Sequence, residues 1–299
     1  MDYILTTQNL TKIYGKETAV KDINIHIRKG EIYGLIGPNG AGKTTIMRVI
    51  SGLSRATSGS YRINSEKQTG IGVLIESPGI FPNMSAEDNL RLKCIAMGCN
   101  KQEYINALLK TVGLEEAGKK KAGAFSLGMR QRLGIALALV GEPEMIVLDE
   151  PINGLDPQGI VEIRQTLEML KNEKHITIMI SSHILDELSK IADSYGIITK
   201  GRLIEELSVG ELNERCGKFV SIKTDDAERA LNVLKQSGYG KASVESDGAI
   251  RLEDAVNDTM EINKKLVSAG VGVKELTICN ISLEDYYLSV TGGGASKNE

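Results

Sequence analysis

The sequence predicts an α/β protein with a smaller α+β domain toward its C-terminal end, and three observations lead there. An apolar run, Glu31-Ile32-Tyr33-Gly34-Leu35-Ile36, passes through a glycine-rich stretch, Gly37 to Thr45, into the helical pattern Ile46-Met47-Arg48-Val49-Ile50. Further apolar runs at Ile71 to Ile75, Met145 to Leu148 and Ile176 to Ile180 recur between helical patterns, and each ends in polar residues. That alternation builds a sheet whose strand ends line one edge. Beyond Lys218 the pattern becomes strand-helix-strand-strand-helix-strand, the order of a split β-α-β unit of ferredoxin-like type. At 299 residues the chain is long enough for two cores.

Composition narrows the class. Hydrophobic residues make up 41% and charged residues 25%, with a net charge of -3. That is an ordinary soluble balance, and its sign argues against a broad nucleic-acid surface. The start, Met1-Asp2-Tyr3-Ile4, lacks the basic-then-apolar pattern of a secretory signal. The longest apolar runs, Ile135 to Val140 and Met145 to Leu148, fall far short of the ~20 residues that cross a bilayer. Cys94, Cys99, Cys216 and Cys279 form no C-x-x-C pair and read as reduced cytosolic thiols.

Residues 3 to 33 alternate apolar and polar positions, as in Ile23-Asn24-Ile25-His26-Ile27-Arg28, which predicts an antiparallel layer. Within it Tyr14 precedes Gly15, and its ring is suited either to packing or to stacking on an adenine face. The stretch Gly37-Pro38-Asn39-Gly40-Ala41-Gly42-Lys43-Thr44-Thr45 has the spacing of a phosphate-cradling loop. Gly37, Gly40 and Gly42 let the backbone adopt positive φ, so several N–H groups aim at one anion, and the helix N-terminus adds its positive dipole end. Lys43 would reach the β and γ phosphates, and the Thr44 hydroxyl would ligate magnesium.

The run Ile71 to Ile75 ends at Glu76-Ser77-Pro78-Gly79, which places a carboxylate at a strand end. Residues 85 to 140 read as a helical block opened by Ser85 with Asp88 three residues on. It is interrupted by Gly118-Lys119-Lys120-Lys121-Ala122-Gly123, a solvated linker by composition. Ser126, in Phe125-Ser126-Leu127-Gly128-Met129, predicts an N-cap for a helix through Ala138 and a second anion site with Gly128. Met145 to Leu148 ends in Asp149-Glu150-Pro151. Consecutive carboxylates at a strand end diverge, which allows one to serve a metal and the other a water, or both simply to be exposed acids closing a strand. Gly154-Leu155-Asp156-Pro157 turns into a helix from Gln158 to Lys171, and Ile176 to Ile180 ends in Ser181-Ser182-His183. Strands around Ile197-Ile198 and Leu203-Ile204 close the first domain near residue 216. In the second domain the central strands carry no aromatic cluster of the kind that binds RNA. Ser282-Leu283-Glu284-Asp285 has a capping-box shape, and the Gly-rich polar tail, Thr291 to Glu299, reads as disordered.

This ordered set resembles the ATP-binding subunits of ABC transporters over residues 1 to about 216. The resemblance assigns Gly37 to Thr44 to the phosphate loop, Ser126 to Gly128 to the signature and Ile146 to Asp149 to the second nucleotide motif. It makes Glu150 the catalytic glutamate, His183 the switch histidine, Tyr14 the adenine-stacking aromatic and Asp156 part of a dimer-spanning loop. It implies a mixed sheet with a helical subdomain at about 77–140; beyond the resemblance, the element order places a ferredoxin-like domain at 217–290 and the composition a flexible tail at 291–299. The signature usually reads Leu-Ser-Gly-Gly-Gln, and here only Ser126 and Gly128 match. Glu76 stands where the family has a glutamine. With its Glu-Ser-Pro-Gly-Ile-Phe-Pro context, it looks like the exporter branch that confers lantibiotic immunity and bacitracin resistance.

The expectation is therefore a cytosolic ATPase subunit, paired with a second cassette and a separately encoded membrane permease, using ATP and Mg2+ and no nucleic acid. Magnesium would be held through Thr44, Asp149 and Glu76, with Glu150, His183 and Lys43 acting on the phosphates and water. Rival readings are a soluble cassette protein acting on ribosomes or DNA, which would carry two cassettes or long coiled-coil insertions, and an exporter subunit for a non-peptide drug. A C-terminal domain that senses a small ligand is a third.

Overall fold

The computed structural model describes residues 2–65, 70–99, 101–215, 218–245, 247–253, 255–280 and 282–291. Cys216 and the tail beyond Thr291, both assigned a state from sequence, lie outside these residues. The chain divides into two compact units, Met1–Val209 and Gly210–Glu299.

The first unit begins with the antiparallel layer read from alternation: β1 (Tyr3–Tyr14), β2 (Glu17–Ile23) and β3 (His26–Arg28). Next come β4 (Ile32–Ile36), α1 (Lys43–Ile50), β5 (Ser58–Ile63) and β6 (Ile71–Leu74). The helical block is α2 (Ala86–Ala96), α3 (Gln102–Thr111) and α4 (Leu127–Ala138). After it follow β7 (Met145–Asp149), α5 (Pro157–Asn172), β8 (Thr177–Ser182), α6 (Leu185–Ser189), β9 (Ser194–Thr199) and β10 (Arg202–Ser208).

Every residue of β4, β7 and β8 is buried. Continuous apolar runs of this kind belong to strands covered on both faces, as parallel sheets require. The six-stranded sheet runs β10-β9-β4-β8-β7-β6, parallel throughout except for the antiparallel edge strand β10. The smaller sheet runs β2-β1-β3, with β5 also paired to β1. One core joins the two sheets: Ile4, Leu10, Ile23 and Ile27 of the antiparallel layer meet Ile46 and Val49 of α1 and Leu35 and Val147 of the parallel sheet. Polar contacts reinforce the seam, because Glu206 on β10 accepts the Tyr33 hydroxyl at 2.9 Å and contacts His26 Nδ1 at 2.8 Å. Burial and the Glu206 carboxylate push the Tyr33 phenol well above its ordinary pKa, so it stays a donor.

Caps set the helical block. Ser85 Oγ accepts the Asp88 N–H at 3.0 Å, and Ser126 Oγ accepts the Met129 N–H at 3.2 Å. Arg132 on α4 donates to Val112 O and Gly113 O at 3.0 and 2.9 Å, and pairs with Glu162 on α5 at 3.1 Å, so one side chain ties three helices. The stretch Gly118 to Gly123 is more than the solvated linker its composition suggests. Its lysines are exposed, but Ala122 is buried and donates its N–H to Met84 O at 2.9 Å, and Gly123 donates to Pro82 O at 2.8 Å. Buried backbone groups must find partners, and a neighbouring loop supplies them.

The second unit takes in all but the first residue of α7 (Val209–Arg215). It contains β11 (Lys218–Thr224), α8 (Ala227–Gln236), β12 (Ala242–Val244), β13 (Ile250–Glu253), α9 (Thr259–Ser268), β14 (Val273–Asn280) and α10 (Leu283–Thr291). Its sheet is antiparallel in the order β12-β13-β11-β14. Val220, Ile222, Ile250 and Leu252 pack on Ala230, Leu234, Ile262 and Leu266 of α8 and α9. A 3-10 turn at Val256–Asp258 leads into α9, which starts at Thr259. At α10 the capping box is reciprocal: Ser282 Oγ accepts the Asp285 N–H at 3.1 Å, and Asp285 Oδ2 accepts the Ser282 N–H at 3.2 Å.

Candidate functional site

The C-terminal ends of β4, β7 and β8 lie side by side because these strands are parallel neighbours in register. The loop Gly37 to Gly42 leaves β4 there, and α1 starts at Lys43. Gly40 and Gly42 take φ of 80° and 106°, as the loop spacing predicts. Gly37 does not adopt positive φ, contrary to expectation, and its glycine requirement is one of space. A Cβ at Gly37 would lie 2.3 Å from Ile198 O, and one at Gly42 would lie 2.4 Å from Val20 Cγ1. Pro38, Asn39 and Ala41 complete the loop, and Thr45 lies in the first turn of α1.

Lys43 is almost fully buried, and its ammonium donates to Gly37 O at 2.6 Å inside the loop. The same ammonium lies 3.2 Å from Glu150 Oε1. This is an ion contact without hydrogen-bond geometry, for Oε1 is buried and accepts no hydrogen bond. The other oxygen, Oε2, is 2.7 Å from His183 Nδ1. A chain of polar contacts thus runs from Lys43 through Glu150 to His183.

A second chain lies beside it. The Thr44 hydroxyl donates to Asp149 Oδ2 at 2.7 Å, and Asp149 Oδ1 accepts the Ser181 hydroxyl at 2.6 Å. Ser181 Oγ in turn accepts the Glu150 N–H at 2.9 Å. Asp149 and Glu150 therefore diverge, with Asp149 turned to Thr44 and Glu150 to Lys43 and His183. Glu150 has φ of 50°, a left-handed conformation unusual for a residue with a Cβ. Sequence reading did not single out Ser181. The only signal was a small polar residue closing an apolar strand, which many strands show.

The remaining residues lie at different distances from this centre in the network. Glu76 follows β6 with φ of 65°, and its carboxylate pairs with Arg48 Nη2 at 2.7 Å, both side chains well exposed. Tyr14 ends β1, 45% exposed as a residue, with Lys12 Nζ 4.8 Å from the centre of its ring. Ser126 is exposed at the N-cap of α4. A Cβ on Gly128 would reach Gly159 Cα and Leu155 Cδ2 at 3.8 Å, so this helix start packs on the loop after β7, where Asp156 Oδ1 caps α5 by accepting the Gly159 N–H at 3.0 Å. Among the contacts of the described residues, none links Ser126 or Tyr14 to Lys43, Asp149 or Glu150.

The family model described as ABC transporter matches residues 20–153. The chain is 41% identical over 303 residues to the bacitracin transport ATP-binding protein BcrA of Bacillus licheniformis, covering 98% of this chain and 99% of that protein. It is 46% identical over 208 residues to the lantibiotic transport ATP-binding protein SrtF of Streptococcus pyogenes, covering 68% of this chain and 90% of that one. Among solved structures it is similar to cbiO1 from Clostridium perfringens, part of the ABC transporter complex cbiONQ, with TM-score 0.65 and 29% identity over 71% of this chain and 91% of that one. A dimeric cassette, MJ0796 in a post-hydrolysis state with ADP and Pi, matches at TM-score 0.61 and 26% identity over 69% of this chain and 98% of that chain. With its phosphate loop and strand-end carboxylates in this arrangement and a relative similar along nearly its whole length, the chain belongs to the ATP-binding subunits of ABC transporters and is an ATPase.

Proposed function

We propose that this protein powers the export of an antimicrobial peptide, of the bacitracin or lantibiotic kind, through a separately encoded permease. The observation that carries the substrate class is similarity to BcrA over 98% of the chain, including the C-terminal unit. In this reading the protein works at the cytoplasmic face of the membrane as one of two cassettes and binds no nucleic acid. Among the described residues, no helix is long and apolar enough to cross a membrane, and in this reading passage runs through the permease. A groove of about 550 Å³ between β6 and the helical block, lined by Leu53, Pro78, Phe81, Leu92 and Met97, suits an apolar segment of that permease. Leu53 and Phe81 are more than half exposed there, unusual for large apolar side chains. The antiparallel order β12-β13-β11-β14 with α8 and α9 on one face supports assigning residues 217–290 to the ferredoxin-like class.

The residues present fit magnesium. Thr44 and Asp149 offer hard oxygens 2.7 Å apart, and among the described residues no three His, Cys, Asp or Glu side chains form a closed metal cage. Magnesium keeps waters and substrate oxygens in its shell, so two protein oxygens suffice. When bound it neutralises phosphate charge. Lys43, released from Gly37 O, would follow the β and γ phosphates, and the loop amides from Gly37 to Thr45 would hold their oxygens. Glu150 would orient the attacking water, and His183 would contact the γ phosphate. Tyr14 would stack on adenine. Ser126 and Gly128 of the second cassette would close over the nucleotide, the helix-start amides meeting its charge.

Glu76 joins the metal set only if Arg48 gives it up. Glu76→Gln removes a negative charge near the phosphates, so the ratio of ATP affinities with and without magnesium should fall by about fivefold, the scale of exposed charge effects. Titration of both proteins with a fluorescent ATP analogue checks this, and an unchanged ratio would leave Glu76 as a loop acid. The substrate assignment is tested by expressing the chain with its neighbouring permease in a bacitracin-sensitive host. Resistance that rises several-fold and disappears with Lys43→Ala supports it, whereas unaltered sensitivity to bacitracin and to lantibiotics argues for a non-peptide cargo.

A further inference from the structure

Helix α2 ends in a pattern that brings two thiols together. The Cys99 N–H donates to Cys94 O at 2.9 Å and the Gly98 N–H to Ile95 O at 3.1 Å, while Gly98 takes φ of 71°. These two bonds around a left-handed glycine define the Schellman ending, whose geometry sets the third residue from the helix end against the second residue beyond the cap. In most helices that contact is made by two apolar side chains. Here both positions are cysteine, so the helix ending sets the Cys94 and Cys99 side chains against one another. Cys94 is fully buried and Cys99 partly exposed.

We propose that Cys94 and Cys99 are an oxidisable dithiol that closes to an intramolecular disulfide, with a peroxide as oxidant. Burial, followed by the neighbouring Cys99, pushes the Cys94 thiol up to about 11, so the partly exposed Cys99 is the sulfur that meets the oxidant. Its thiolate attacks the peroxide, an S–O bond forms and the O–O bond breaks, and hydroxide leaves. The Cys94 sulfur then attacks the Cys99 sulfur, forming S–S as S–O breaks, and the departing hydroxide takes up the Cys94 proton as water. Two thiols are oxidised and one peroxide is reduced to two waters. In a reducing compartment such a bond is transient, as sensing disulfides are. Lys93, Ala96 and Met97, around this turn, line the groove between β6 and the helical block, so closure would staple its rim.

Trypsin cuts after Lys93 and Lys101, so both cysteines leave in the single peptide Cys94 to Lys101. The folded full-length protein is treated with hydrogen peroxide, alkylated with iodoacetamide, digested and weighed. The expected peptide has lost two hydrogens, carries no alkyl group and regains both alkylation sites after dithiothreitol, while Cys279 remains alkylated. In Cys94→Ser, Cys99 should instead advance to sulfinic acid or stay alkylatable. Full alkylation of both cysteines in the treated wild type, Cys99 sulfinic acid without a disulfide, or equal protection of Cys99 in Cys94→Ser would each overturn the proposal.

Discussion

Glu150→Gln is expected to lower ATP turnover by about 10²- to 10³-fold while leaving nucleotide binding within a few-fold of wild type, the range seen when a positioned base is removed. The substitution keeps the size and the left-handed backbone of Glu150, so the loop should not move. It replaces an acceptor-only carboxylate by a group with two donors. One carboxylate oxygen faces Lys43 at 3.2 Å with no hydrogen bond and the other faces His183 at 2.7 Å. An amide can satisfy only one of those positions with its oxygen and turns donors toward the other. In the proposed arrangement the binding energy would come from elsewhere, from the amides of Gly37 to Thr45 and from Lys43, so affinity should survive. With ATP and magnesium the variant should accumulate as a pair of cassettes, visible by size-exclusion chromatography. Turnover within threefold of wild type would remove Glu150 from the catalytic role.

Gly72→Val should destabilise the first unit by about 3 kcal/mol or more, the upper range of overpacking. Gly72 sits in β6 opposite Ile146, and the end of α4 lies directly over it. A Cβ there would fall 1.9 Å from Ala138 O and 3.1 Å from Ile146 Cγ2. The first clash is with backbone, which no rotamer relieves, so either α4 lifts or β6 leaves the sheet. Both outcomes disturb the groove and the helix that carries Ser126. Gly79 provides the control, since a Cβ there meets nothing within 4 Å, and Gly79→Ala should cost less than about 0.5 kcal/mol. Urea midpoints of the two variants decide. A shift for Gly72→Val no larger than that for Gly79→Ala would contradict the packing of α4 on β6.

Features written by neighbours in the chain were legible in the sequence. The loop from Gly37 to Thr45, the buried runs of β4, β7 and β8, and the caps at Ser85, Ser126 and Ser282 depend on residues within one or two turns of each other. Periodicity and capping chemistry are local properties, so the pattern carries them. The placement of Asp149 and Glu150 at a strand end was local too. Their partners were not. Ser181 bridges Asp149 and the Glu150 backbone because β7 and β8 pair in one register, and a shift of one residue would turn that hydroxyl to the other face. Glu76 showed its position at the end of β6 but not its ion pair with Arg48, which depends on how α1 lies against that end. Gly37 looked like a residue needing positive φ, yet only the folded packing against Ile198 reveals that it needs space instead. The five-residue spacing of Cys94 and Cys99 matched no redox motif, and the helix ending alone sets their side chains against one another. By itself the sequence determined the elements and the types of chemical group at their ends, because both are set by short-range sterics and hydrogen bonding. Only the tertiary structure decided which groups meet, because contacts across tens of residues follow from sheet register and helix packing.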